Sequence, residues 1–235
     1  MEIEIWSDQA KAIVDPEGGY LTNLSDDKGD ILFPKRTLKN EEGIAKKRGG
    51  SHVCLPNFGP GGASGQAQHG FGRESTWEVA DKTDSSVLLT LANGSDGYRH
   101  LSSVLTYQLG AKRMMMTLEV TNNGGSDLRV APAFQPYFAL LGGSAQLDGE
   151  KQSLSELGEA QFFTGSSHTL QLEKRTINLE GTNLPTWVKW TDQLGDYLCV
   201  EPSQKGFAFL EDKPGDGELL RPDETKTYTF TITWN

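Results

Sequence analysis

Alternation with a period of two runs through this sequence, and it limits the chain to β architecture. From Thr225 to Asn235, Thr227, Thr229, Thr231 and Thr233 fall on one face, and Tyr228, Phe230, Ile232 and Trp234 on the other. Successive side chains of a strand point to opposite faces, so this pattern predicts a half-buried strand with an aromatic inner face. Arg113 to Thr121 repeats it, with Met114, Met116, Leu118 and Val120 pointing one way. The turn signal Asn122-Asn123-Gly124-Gly125 follows, and Leu128 to Leu140 is predicted to resume as a strand. Leu101 to Leu109 and Ser86 to Ala92 read as further strands. Trp187 to Trp190 and Tyr197 to Glu201 read as a pair joined by a short loop.

Helical periodicity is nearly absent, and the 27 glycines suit many turns. Ser144 to Gly165 carries no legible pattern. No repeat or linker divides the 235 residues, a length that large β-sandwiches reach as one unit. An all-β sandwich or barrel, one domain over residues 1–235, is the expectation.

The net charge of −10 gives no general footprint for nucleic acid or an anionic membrane. No run of about 18 apolar residues is present. The opening Met1-Glu2-Ile3-Glu4-Ile5-Trp6 is acidic and alternating, unlike a signal peptide. A cytoplasmic protein is expected. Cys54 and Cys199 are too few for a disulfide framework and have no ligand-spaced partners. Two reduced thiols and no metal or cofactor are expected.

Four clusters carry polar chemistry inside apolar stretches. They are Arg48-Gly49-Gly50-Ser51-His52-Val53-Cys54-Leu55-Pro56-Asn57-Phe58-Gly59; Gln68-His69-Gly70-Phe71-Gly72-Arg73; Ala131-Pro132-Ala133-Phe134-Gln135-Pro136-Tyr137-Phe138; and Tyr197-Leu198-Cys199-Val200-Glu201-Pro202. Taken singly, each also fits a plain structural role. Arg48 fits an exposed turn, His69 a satisfied core histidine, Glu201 a solvated strand end, and Pro-Tyr-Phe core packing.

The ordered set resembles the aldose 1-epimerase family, in its glucose-6-phosphate 1-epimerase branch. Pro16-Glu17-Gly18-Gly19-Tyr20-Leu21 looks like that family's first hairpin, and Leu219 to Trp234 like its closing strand with Pro222 and Glu224 in the turn. The resemblance implies a galactose mutarotase-like β-supersandwich of two large antiparallel sheets. It also implies an isomerase that interconverts the α and β anomers of a hexose or hexose 6-phosphate. That reaction needs a base for the C1 hydroxyl and an acid for the ring oxygen, with no cofactor.

The resemblance makes Glu201 the general base. It puts Gln135 where the family has its general-acid histidine. An amide donates a hydrogen bond but does not release a proton near neutrality. Losing a general acid lowers a rate by about 10²–10⁴. His69, in the second motif, and His52, where the family usually has proline, are the substitute acids on offer. Arg48 and Arg73 match phosphate-gripping positions, where a guanidinium fork suits phosphate oxygens. Gln68 matches a neighbouring substrate contact, and Asp192 is a candidate for a sugar hydroxyl. A monomer with a hexose or hexose-phosphate ligand is expected. Because Gln135 stands in for histidine, the alternative is a non-catalytic carbohydrate-binding protein that keeps the pocket and has lost the acid.

Overall fold

A computed structural model describes residues 1–210 and 216–235 of the chain. Two nine-stranded antiparallel sheets dominate it. In the first, Ile3–Ser7, Ala10–Asp15, Tyr20–Asp26 and Gly29–Leu32 lead to the central strands Ala133–Ala139 and Tyr197–Ser203, then to Thr186–Trp190 and the edge strand Gln161–Thr164. Ser51–Cys54 joins this sheet by pairing with Ala133–Ala139 and Tyr20–Asp26. The second sheet is centred on Thr225–Trp234, flanked by Arg113–Asn122 and Thr176–Thr182.

The predicted alternation governs the packing. Met114, Met116, Leu118 and Val120 are all fully buried, as are Tyr228, Phe230 and Ile232. One cluster of buried apolar side chains draws on both sheets. Phe230 of the second sheet meets Phe134 and Trp187 of the first, each at 6.0 Å between ring centroids. The β-supersandwich expected from the motifs is the observed architecture.

Three local differences bear on the site. First, Leu128 to Leu140 is two strands. Leu128–Val130 pairs with Glu218–Leu220 outside both large sheets, and Ala133–Ala139 enters the first sheet. Pro132, lying between them, has no N–H to offer a ladder, so the pairing breaks there. Second, Ser144 to Gly165 contains short pieces shared between the sheets. Ala145–Leu147 and Glu150–Lys151 lie in the second, and Gln161–Thr164 edges the first. Third, Arg36–Lys39 and Ala45–Arg48 form a separate two-stranded hairpin with no buried residue. Period-two reading missed this hairpin because neither face of it is apolar.

Candidate functional site

The site is built on the two central strands of the first sheet, in which every residue is buried. Ala133 pairs with Ser203 and Tyr137 with Cys199, so the register sets Gln135 opposite Glu201. Pro136 between them cannot donate a ladder bond. It marks the place where the neighbouring strand changes from Ser51–Cys54 to Gly29–Leu32.

Gln135 Nε2 donates to Glu201 Oε1 at 3.1 Å. Oε2 of Glu201 has no partner among the described residues. Glu201 is 1% exposed. Burial raises its carboxyl to about 8, against the opposing pull of hydrogen bonds from Gln135 and the Cys199 thiol. Loss of hydration penalises the charged form, and no cation among the described residues offsets it. A carboxyl in this state is largely protonated at neutral pH.

His69 adopts a left-handed backbone, with φ of 64°. Its Nδ1 accepts the Gly59 N–H at 3.2 Å and lies 3.3 Å from Cys54 Sγ. A backbone N–H only donates, so the neutral ring carries its proton on Nε2. Burial first, then the charges of Arg73 and Arg48, push His69 down to about 3. His52 lies opposite Gln135 on the neighbouring strand and is buried against Tyr20. Burial, Arg73 and His69 hold it well below the usual histidine range. Both rings are neutral near pH 7.

Two glycines set up Arg48. Gly49 and Gly50 have φ of 95° and 68°, and a Cβ on either would stand 2.3 Å from a backbone oxygen, Pro34 O or Leu21 O. The chain thus turns tightly from the hairpin into Ser51–Cys54. Arg48 Nε donates to Asp192 Oδ2 at 2.7 Å, Nη1 donates to Lys47 O at 2.9 Å, and the guanidinium lies 5.5 Å from the Trp190 ring. Asp192 is consumed by this task. Its Oδ1 accepts from the Tyr197 hydroxyl and the Leu194 N–H, and its Oδ2 from Arg48. It touches Arg48, which lines the cleft, and is not itself part of the wall. Arg73 donates from Nη2 to Gln68 O at 3.1 Å, and its Nε lies 3.4 Å from Glu74.

These groups line one cleft of about 630 Å³, a size typical of small-molecule sites. Glu201, Gln135, His69, Gln68, Arg48 and Arg73 all face it. His52 lines an adjoining cavity of about 250 Å³, which shares Arg48, Arg73, Lys46 and Tyr137 with the cleft and adds Lys35 and Lys47. Sequence reading missed several wall residues. Phe58 stacks on Phe207 at 5.6 Å and meets His69 at 5.4 Å, forming an aromatic wall. Glu159 brings a second carboxyl to the rim from the segment without a legible pattern, and Lys46 a cation from the hairpin. Only Phe58 lay within a recognised motif.

The comparisons agree with this geometry. The family described as Aldose 1-epimerase matches residues 43–193, more than half of the chain. A galactose mutarotase-like protein from Lactobacillus casei superposes with a TM-score of 0.83 at 16% identity, covering all of both chains. A galactose mutarotase related enzyme from Lactobacillus acidophilus gives 0.81 at 15% identity, covering 100% of this chain and 97% of its own. A galactose mutarotase-like protein from Clostridium acetobutylicum gives 0.75 at 14% identity, with coverage of 100% and 95%. Among curated proteins there is no match. At these identities the solved structures establish the fold, and the profile match over residues 43–193 establishes the family. The chain belongs to the aldose 1-epimerase family.

Proposed function

We propose that this protein interconverts the α and β anomers of a hexose or hexose 6-phosphate by acid/base ring opening. The observation that carries the reading is the buried Gln135–Glu201 pair facing a sugar-sized cleft. A carboxyl raised to about 8 is a stronger base, once ionised, than an ordinary glutamate, and suits removal of the C1 hydroxyl proton. Phe58 and Phe207 offer apolar faces to the ring, and Gln68, His69 and Glu159 offer polar partners for its hydroxyls. The adjoining cavity, with Lys35, Lys46, Lys47, Arg48 and Arg73 in its lining, suits the phosphate of a hexose 6-phosphate. The whole chain serves as one sugar-binding domain in this reading.

The test is anomeric exchange of glucose and glucose 6-phosphate, followed by exchange NMR or polarimetry. Exchange above the spontaneous rate, strongest for the phosphorylated sugar, is expected. Gln135 favours a second reading, a carbohydrate-binding protein without activity. Calorimetric binding of sugar with no added exchange would select that reading.

A further inference from the structure

We propose that the Tyr137 hydroxyl gives the ring oxygen its proton, the part that Gln135 has no labile proton to play. This inference rests on the mutarotase reading above.

The Tyr137 hydroxyl is free and faces the site. The hydroxyls of Tyr98, Tyr107, Tyr197 and Tyr228 each donate to a carbonyl or a carboxylate of the chain. Tyr137 has no such acceptor among the described residues, although the residue is only 4% exposed. Its hydroxyl is not sealed in as Oε2 of Glu201 is, and the side chain lines both the cleft and the adjoining cavity. A buried phenol with its donor turned to an open cavity is built to meet a ligand.

Register puts that hydroxyl on the reacting edge of the sugar. Gln135 and Tyr137 are two positions apart on one strand, so they share a face and stand about 6–7 Å apart along it. Tyr137 pairs with Cys199, two positions from Glu201 on the partner strand. In a hexose 6-phosphate, the ring oxygen lies between C1 and C5, and C5 bears the carbon that carries the phosphate. With C1 at Glu201 and the phosphate in the adjoining cavity, the ring oxygen falls where the two spaces meet. Four side chains line both spaces: Lys46, Arg48, Arg73 and Tyr137. The two arginines do not release a proton. Lys46 comes from the hairpin, which has no buried residue to fix it. Tyr137 is held on a central strand, its ring meeting that of Tyr197 edge-on at 5.0 Å. The histidines are less suited: His69 Nδ1 is held by Gly59, and His52 does not line the cleft.

The step balances. Ionised Glu201 takes the C1 hydroxyl proton, and the O–H electron pair becomes the second bond of the aldehyde. The bond from C1 to the ring oxygen breaks with its pair on that oxygen, which takes the Tyr137 proton and leaves a phenolate. An alkoxide is a stronger base than a phenolate, so the transfer runs toward the sugar. The aldehyde rotates about C1–C2. On closure the phenolate recovers its proton and Glu201 returns its own to the carbonyl oxygen. Burial, with Cys199 and Glu201 nearby, holds the phenol well above the usual tyrosine value, so it starts protonated, while the charge of Arg48 favours the phenolate.

Tyr137→Phe tests this, because it removes the hydroxyl and keeps the ring that packs on Tyr197. Exchange and calorimetric binding are measured for glucose and glucose 6-phosphate. The expected result is a fall in kcat of about 10²–10⁴ for both sugars, with affinities little changed. Weaker glucose 6-phosphate binding with glucose exchange intact would overturn the inference and assign the hydroxyl to the phosphate. Unchanged kcat for both sugars would overturn it and leave the mutarotase reading standing. If the variant binds neither sugar, 3-fluorotyrosine in place of Tyr137 decides, since it keeps the shape and makes the hydroxyl more acidic. An altered kcat at unchanged affinity then supports the inference, and an unaltered kcat overturns it. Absence of exchange by the native protein would overturn both readings.

Discussion

The Gln135 amide meets the Glu201 carboxyl across two paired strands at 3.1 Å, and both side chains line the cleft. An imidazolium at the same point would pull the carboxyl down by its charge. A neutral amide leaves burial to dominate, and the carboxyl rises to about 8. Burial thus sets the protonation state of Glu201, and the amide at position 135 opposes it without reversing it.

A raised carboxyl lowers stability as pH rises. Glu201 moves from its ordinary 4.5 to about 8 on folding. Above pH 4.5 the unfolded chain ionises this group while the folded protein does not, so the unfolded state is favoured progressively until about pH 8. Glu201→Gln removes that slope and keeps the shape of the side chain. The variant is therefore expected to lose exchange and to gain stability over the native protein, on the order of a few kcal/mol at pH 8 and little near pH 5. Denaturant melts at the two pH values measure it; a gap that does not widen with pH would contradict the raised carboxyl.

Asp192 holds Arg48, and Tyr197 holds Asp192. Asp192→Ala is expected to weaken glucose 6-phosphate binding by about tenfold, the order of one hydrogen bond to a charged group, with little change for glucose. Arg73→Ala should narrow the difference between the two sugars in the same calorimetric titration. Equal losses for both sugars after either change would assign these residues to the ring rather than to the phosphate.

Phe230 joins the sheets through Phe134 and Trp187 and is fully buried. Phe230→Ala should destabilise by about 3–5 kcal/mol through lost transfer energy and the cavity left behind. A loss below about 1 kcal/mol, read from urea melts, would show that the inter-sheet core closes over the gap.

The fold was largely legible because the central strands of the second sheet bury one face far more than the other. Met114 to Val120 and Tyr228 to Trp234 announce themselves this way. Ala133–Ala139 is harder: buried on both faces, it has no alternation, and its boundary depends on Pro132. The hairpin that delivers Lys46 and Arg48 has no apolar face at all. For the site, motif order pointed to Glu201, Gln135, His69, Arg48, Gln68 and Arg73, and all six face one cleft. What local sequence does not show is how a residue acts. Asp192 touches Arg48 because a loop between two strands folds back onto the hairpin, a contact spanning 144 positions. The neutrality of His69 likewise depends on Gly59, ten positions earlier, and on burial that only the tertiary structure provides.

Gln135→His should add a proton donor beside Glu201. An imidazole titrates near 6.5 and donates a proton to the ring oxygen when charged. Beside Glu201 it favours the ionised carboxylate, and the carboxylate in turn favours the imidazolium. His52, on the opposite side of position 135, is neutral and adds no repulsion. Base and acid then sit on separate groups, each able to act in its own protonation state. The expected gain in kcat/KM is about tenfold to a thousandfold, below that of a fully placed acid because a transplanted side chain is seldom ideally oriented. The pH profile should change with it. The variant should show a rising arm as Glu201 ionises at lower pH and a falling arm as the imidazolium deprotonates, giving a bell. A variant no faster than the native protein would mean that position 135 takes no part in moving the sugar's protons.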